Sequence, residues 1–297
     1  MRPDRRRSPI VTVAALILCA ALLPARAVPA GEETPSVIRD NSFLIEEAYN
    51  QEPGVIQHIL TGGWARLRQG GSSDDNWTGV FTQEWPVPNM THQLSYTIPY
   101  TMLRGDQPHE EGFRDVLLNY RYQLVEEDAA SKPAIAPRFS LILPTGDVDK
   151  GLGNGELGYV INIPFSKTIG TSWAVHLNAG VALTPGVEIP LEGGGHSEKR
   201  FLTDLLFGFS AIWLLRPDLN IMAEFLTLRT QDVDRSTGKE VDGAEVYFSP
   251  GLRYALNLSG GAQAVFGAAM PIGMTDDSED LGIFIYASFE HALWEAK

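Results

Sequence analysis

From Thr91 to Arg104 the chain reads THQLSYTIPYTMLR, and its residues alternate in character. Leu94, Tyr96, Ile98, Tyr100 and Met102 fall on one parity, with His92 the exception. Thr91, Gln93, Ser95, Thr97, Pro99 and Thr101 fall on the other. A period of two predicts an extended strand with one apolar and one polar face. Strands of soluble proteins average about five or six residues, whereas a tilted membrane-crossing strand needs about nine to eleven. This run is long enough to cross.

The pattern recurs along the chain and predicts twelve strands. They cover 55–68, 76–87, 91–104, 113–126, 134–144, 156–166, 172–184, 200–214, 218–230, 244–255, 261–271 and 282–294. Long, glycine-rich or acidic links follow the odd strands, at 69–75, 105–112, 145–155, 185–199, 231–243 and 272–281. Short links follow most even ones: Pro88 to Met90, Lys167 to Thr171, Leu215 to Pro217 and Asn257 to Gly260. The link Glu127 to Pro133 is longer than its class. An even strand count with short turns on one side and long loops on the other predicts an all-β fold, a closed antiparallel transmembrane β-barrel of about 12 strands.

Alternation alone does not say which face looks outward, because a soluble barrel buries its apolar face inside. Strand length and loop alternation place the apolar face outward. Trp77, Trp85, Trp173, Trp213 and Phe201 fall near strand ends, where interfacial girdles lie. Pro99, Pro137, Pro164 and Pro250 fall inside or near strands, and a closed barrel has no free edge to host them. They are expected at bulges or displaced strand ends. The eighth strand is apolar on both faces, so Leu206 and Ile212 should look inward against a plug or a loop. The last strand ends at Trp294, three residues before the final Lys297.

The ends and the charge narrow the setting. Arg2, Arg5, Arg6 and Arg7 precede an apolar run from Pro9 to Leu23, and Ala25-Arg26-Ala27 fits a small-x-small cleavage site. Residues 1–27 therefore read as a secretory signal peptide. Cys19, preceded by Leu18, lacks the small residue a lipoprotein anchor requires, and no other cysteine occurs. The formal net charge is −14. Removal of the net +4 of residues 1–27 leaves about −18, which argues against nucleic acid as a partner. Residues 28–54 form a periplasmic lead-in, with a short helix or turn expected at Phe43–Asn50, where Leu44, Ile45, Ala48 and Tyr49 have helical spacing. Residues 55–297 make the barrel.

On this register Asp115, Arg121, Arg138, Asp204, Glu224, Glu245 and Arg253 face inward as candidate pore-lining residues. Inward charges of both signs can set selectivity by field and constriction, or can fill the lumen as a salt-bridge network. Asp147-Val148-Asp149-Lys150-Gly151 begins like a calcium loop, but Leu152 stands where the turn glycine belongs and Gly158 where the bidentate glutamate belongs. Asp276 to Asp280 reads as a solvated acidic loop, able to bridge through divalent cations to lipopolysaccharide phosphates. His196-Ser197 sits in a glycine-rich loop, and His58, His92, His176 and His291 stand singly, so no nucleophile–base pair emerges. GLGNG precedes no helix and is a loop. Neither catalysis, a metal site nor a cofactor is expected.

Ser42 to Ile59, SFLIEEAYNQEPGVIQHI, and Leu143 to Glu156, LPTGDVDKGLGNGE, resemble the outer-membrane transporter family of the phenol-degradation meta-pathway. The resemblance implies a barrel of this strand number that passes hydrophobic or aromatic compounds. The sequence thus predicts a transporter or channel in the outer membrane of a Gram-negative bacterium. Its partners would be outer-membrane lipid and lipopolysaccharide, the barrel-assembly machinery and a small hydrophobic or aromatic solute. The third and fourth loops would fold over or into the mouth. A structural or adhesive barrel without transport is the alternative.

Overall fold

The computed structural model describes residues 38, 42–69, 72–105, 109–128, 131–191 and 193–292. The predicted signal peptide, Cys19 and Trp294 lie outside the described residues. Twelve strands form one sheet. They are β1 Val55–Gln69, β2 Ser72–Pro86, β3 His92–Arg104, β4 in two pieces (Glu110–Phe113 and Val116–Tyr122) and β5 in two pieces (Ala134–Ile135 and Arg138–Leu143). Then come β6 Gly158–Ile169, β7 Trp173–Val187, β8 Arg200–Arg216, β9 Leu219–Val233 and β10 Glu240–Asn257. Two pieces of β11 (Gln263–Ala269 and Ile272–Gly273) and β12 Leu281–Ala292 complete the set. Each strand pairs antiparallel with the next. β1 pairs with β12 from Val55 opposite Ala292 to Arg66 opposite Leu281, which closes the barrel.

The faces are inverted relative to a soluble barrel. Leu60, Ile163, Phe207, Phe266, Ile285 and Phe289 are exposed on the outer surface, while Gln57, Asn119, Ser140, Asn178, Ser210 and Asn220 are buried inside. An apolar outside and a polar inside suit a barrel whose outer solvent is hydrocarbon. Trp64 and Trp77, 6.2 Å apart, sit at the end carrying the long loops, the loop end. At the opposite, turn end, Trp173 and Trp213 stack at 6.3 Å and Trp85 meets Tyr96 edge-on. These are the two aromatic girdles expected of the strand-end tryptophans. Among the described residues no helix is long and apolar enough to cross a membrane.

The in-strand prolines explain every strand interruption. β4 breaks at Arg114-Asp115, where the Arg114 N–H donates to the Pro99 carbonyl on β3. β5 breaks at Ala136-Pro137, with the Ala136 N–H on the Pro164 carbonyl of β6. β11 breaks at Met270-Pro271, with the Met270 N–H on the Pro250 carbonyl of β10. A proline carbonyl accepts but its nitrogen has nothing to return, so only half the ladder forms there.

The alternation of links holds, with several long links shortened and two of them most of all. The expected loop 69–75 is mostly strand, since Gln69 pairs with Ser72. The expected loop 231–243 shrinks likewise, because Val233 pairs with Glu240. The predicted helix at Phe43–Asn50 does not form. The segment is extended with bends, and it lies inside the barrel.

Candidate functional site

A helix satisfies its N–H groups with its own carbonyls. Six residues between Leu44 and Gln51 satisfy theirs with side chains of the lumen wall. The Leu44 and Ile45 N–H groups donate to Glu224 on β9, and that of Glu46 to Asn178 on β7. The Ala48 N–H donates to Ser166 on β6, that of Asn50 to Gln123, and that of Gln51 to Gln93 on β3. The wall thus acts as a discontinuous pairing partner for an otherwise unpaired backbone. This is why apolar residues at helical spacing do not make a helix here.

The path of this plug can be read against the strands. Ile38 packs with Ala255 and Val265, nearest the turn end. Phe43 lies between Phe284 and Tyr286, at 5.4 and 5.5 Å, over Gly251 and Gly267, where a Cβ would strike its ring. Leu44 and Ile45 form the tip at mid-barrel. The return runs past Asn162 at Glu46, Ser166 at Ala48 and Thr168 and Glu127 at Tyr49. The plug is therefore a hairpin that rises from the turn end and goes back to it.

The seven residues predicted to face inward separate into three groups. Arg121, Arg138, Glu224 and Arg253 hold the plug. Arg121 donates to Asn50 Oδ1 (2.9 Å), the Tyr49 carbonyl (2.5 Å), the Glu47 carbonyl (3.2 Å) and Glu46 Oε1 (3.3 Å). Arg138 Nε meets Glu46 Oε2 at 2.9 Å, and Arg253 Nη2 donates to the Ile38 carbonyl. Asp115 instead fastens the third loop, accepting the Gly146 and Asn154 N–H groups. Asp204 and Glu245 lie toward the loop end, Asp204 accepting the Gln231 N–H and Glu245 the Tyr247 hydroxyl. The charges clamp a segment between the walls, and Arg121 also bridges wall to wall to Glu84 of β2 at 3.9 Å.

At the turn-end rim the Tyr49 hydroxyl donates to Glu127 at 2.5 Å, and the Thr168 N–H donates to the same carboxylate at 2.7 Å. Burial pushes Glu127 up, yet the hydrogen bonds from Tyr49, Thr168 and Lys167 outweigh it and hold the carboxyl below its ordinary range. The Tyr49 phenol is raised by burial and by the Glu127 carboxylate, so it stays protonated.

Two cavities flank the tip. One of about 320 Å³ opens toward the loop end, with Leu44, Leu226, Leu228, Phe284, Glu245 and Glu279 in its lining. The other, about 210 Å³, lies between the plug and β1–β5, where Thr61, Thr82, Ser95, Thr97, Asn119 and Arg138 face it. Leu44 lines both. Toward the turn end Gln57, Glu84, Gln93 and Arg121 form a buried polar layer, and Glu84 reaches the lining of the second cavity. In that layer Gln93 donates to Glu84 at 2.8 Å, and Gln51 to Gln57 at 2.5 Å.

Two further sequence readings change, and the third loop gains anchors. A serine–histidine pair does exist: Ser166 Oγ lies 2.6 Å from His176 Nδ1, across neighbouring strands and ten positions apart. Both are buried, and Ser166 spends its oxygen on the Ala48 N–H, so the pair positions the plug. The acidic loop is not simply solvated, since Asp277 accepts the Ala244 N–H and Ser278 is buried against Val246. Within the third loop Asp147 caps its own turn, while Arg235 donates to the Val148 and Asp149 carbonyls. Val148 packs on Val187, Ile189, Leu202 and Val233, tying the third loop to the neighbouring ones.

No family model matches the sequence, and no curated protein matches it either. Solved structures do. An outer membrane channel from Pseudomonas putida F1 superposes with a TM-score of 0.62 at 10% identity, covering 83% of this chain and 98% of that one. The fold is that of an outer-membrane β-barrel. The translocator domain of autotransporter NalP from Neisseria meningitidis follows at 0.52 and 10% identity, covering 96% and 98%. The beta domain of the Bordetella autotransporter BrkA gives 0.50 at 10%, covering 82% and 100%.

Proposed function

We propose that this protein sits in the outer membrane of a Gram-negative bacterium and passes small hydrophobic or aromatic molecules, with the N-terminal hairpin as its gate. On this reading the turn end is periplasmic and the loop end faces outward. The observation that carries it is the pair of cavities that share Leu44 in their linings. The lumen is occupied by a segment held through hydrogen bonds and two Arg–Glu contacts, not packed solid by wall side chains. The gap along β1–β5 is lined by threonine, serine and asparagine, which suits a wetted path. The resemblance of Ser42–Ile59 and Leu143–Glu156 to the phenol meta-pathway transporters supports an aromatic or hydrophobic cargo.

Single-channel recording of the refolded chain beginning at Val28 tests the proposal, with a heat-modifiability gel to prove folding. Small discrete steps are expected, growing when residues 28–50 are deleted. A folded barrel that stays silent with and without the hairpin would overturn it. That outcome would favour a structural or adhesive barrel, a reading the buried Glu84–Gln93 layer also supports.

A further inference from the structure

The loop-end cavity has an unusual balance of chemistry. Its floor and sides are apolar, formed by Leu44, Leu226, Leu228 and Phe284, but two carboxylates, Glu245 and Glu279, enter its lining. Among the described residues, no Lys, Arg or His lines it, and neither carboxylate belongs to an ion pair. The two converge on one phenol. The Tyr247 hydroxyl is 2.8 Å from Glu245 Oε2 and also in contact with Glu279 Oε2, while the Glu279 N–H donates to the phenol oxygen. A hydroxyl has one hydrogen, so it can donate to only one of the two carboxylates at a time. The other carboxylate then receives no hydrogen from the phenol. This half-buried pair of anions calls for a cation, and the apolar surroundings call for a hydrocarbon body attached to it.

We infer that this cavity binds a small organic cation, its aromatic or alkyl body over Leu44, Leu226, Leu228 and Phe284 and its ammonium head between Glu245 and Glu279. The volume, about 320 Å³, falls at the lower end of ligand-sized pockets, which run from about 300 Å³. An ammonium supplies the donors that the two carboxylates and the phenol together lack, and Phe284 and Tyr247 add aromatic surface beside it. The inference deepens the proposed function: it rests on reading this cavity as the outer entrance of the passage, and it adds a sign of charge to the cargo.

The test is equilibrium dialysis of the chain from Val28 in phosphatidylcholine nanodiscs, against empty nanodiscs. The probes are 2-phenylethylammonium, its neutral isostere 2-phenylethanol, and calcium chloride alone. The cation should bind at least about tenfold more tightly than the alcohol, the value of one charge-assisted hydrogen bond. Glu245→Gln with Glu279→Gln should remove that preference and leave alcohol binding unchanged. Equal binding of cation and alcohol to the unaltered chain would overturn the inference, and this arm needs no variant to fold. So would retention of calcium without retention of the ammonium, which would mark a metal site instead. Conductance is read separately: a silent barrel that still selects the ammonium would sink the passage and leave the binding site standing.

Discussion

Glu224 and Ile45 stand 179 positions apart in the chain and are joined by a 3.2 Å hydrogen bond from the Ile45 N–H to the carboxylate. The same oxygen takes the Leu44 N–H at 3.0 Å, so a single side chain holds the tip of the hairpin. Glu224→Ala should therefore loosen the tip by on the order of 2–3 kcal/mol, since each N–H left without its partner costs about 1–3 kcal/mol when buried. The expected outcome is more frequent or larger openings in planar bilayers with unchanged heat modifiability. Unaltered conductance would show that the tip is not the gate.

Glu46 is the common partner of Arg121 and Arg138. Glu46→Ala leaves two cations facing each other without their shared carboxylate, a costlier change than losing an exposed pair. The hairpin should become accessible to added protease while the barrel stays resistant. Glu46→Gln, which keeps the acceptor for Arg138 and Asn162, should restore most of the protection.

Gly267 gives the Phe43 ring its slot, for a Cβ there would stand 2.3 Å from the ring. Gly267→Val should expel Phe43 and quench its packing on Tyr286 without breaking the β11–β12 ladder, because the backbone bonds remain. Hydrogen exchange would show faster exchange at residues 42–46 and unchanged protection in β11. Lost protection across β11 would mean the glycine serves the strand instead.

Acid should release the returning limb. The Glu127 carboxyl is held below its ordinary value in the folded protein, so its stabilisation is fully present above about 4.5 and is lost as pH falls through the lower folded value. Hydrogen exchange at Tyr49 and Asn50 should rise below about pH 4.5 and not between 5 and 8. In Glu127→Gln the acid-dependent rise should be absent.

The barrel was legible because its cause is local. Alternation in Thr91–Arg104, Leu157–Phe165 and Trp173–Leu183 sets the outer face directly, and the tryptophans fall where two interfaces must be. The inward charges follow from the same parity, which is why Arg121 and Glu224 could be named. Their partners could not. Glu224 meets Leu44 and Ile45 only after nine strands have been placed, and the N–H groups of Leu44, Ile45, Glu46, Ala48, Asn50 and Gln51 are satisfied by side chains from four strands and the Gln123 link. Read alone, Leu44, Ile45, Ala48 and Tyr49 have the spacing of a helix face. The Ser166–His176 pair was hidden for a related reason, since its members face each other across a turn and not along one strand. The prolines were visible as anomalies, but which neighbour each would interrupt depends on register.

The hairpin also has a topological consequence. From Ile38 the described chain climbs to Leu44 and comes back to Val55 at the same rim, so it never threads the ring that β1 and β12 close. Withdrawing residues 42–54 through the turn end would require no strand to part. The cylinder can be uncorked and recorked from below, and its circumference need not change while that happens.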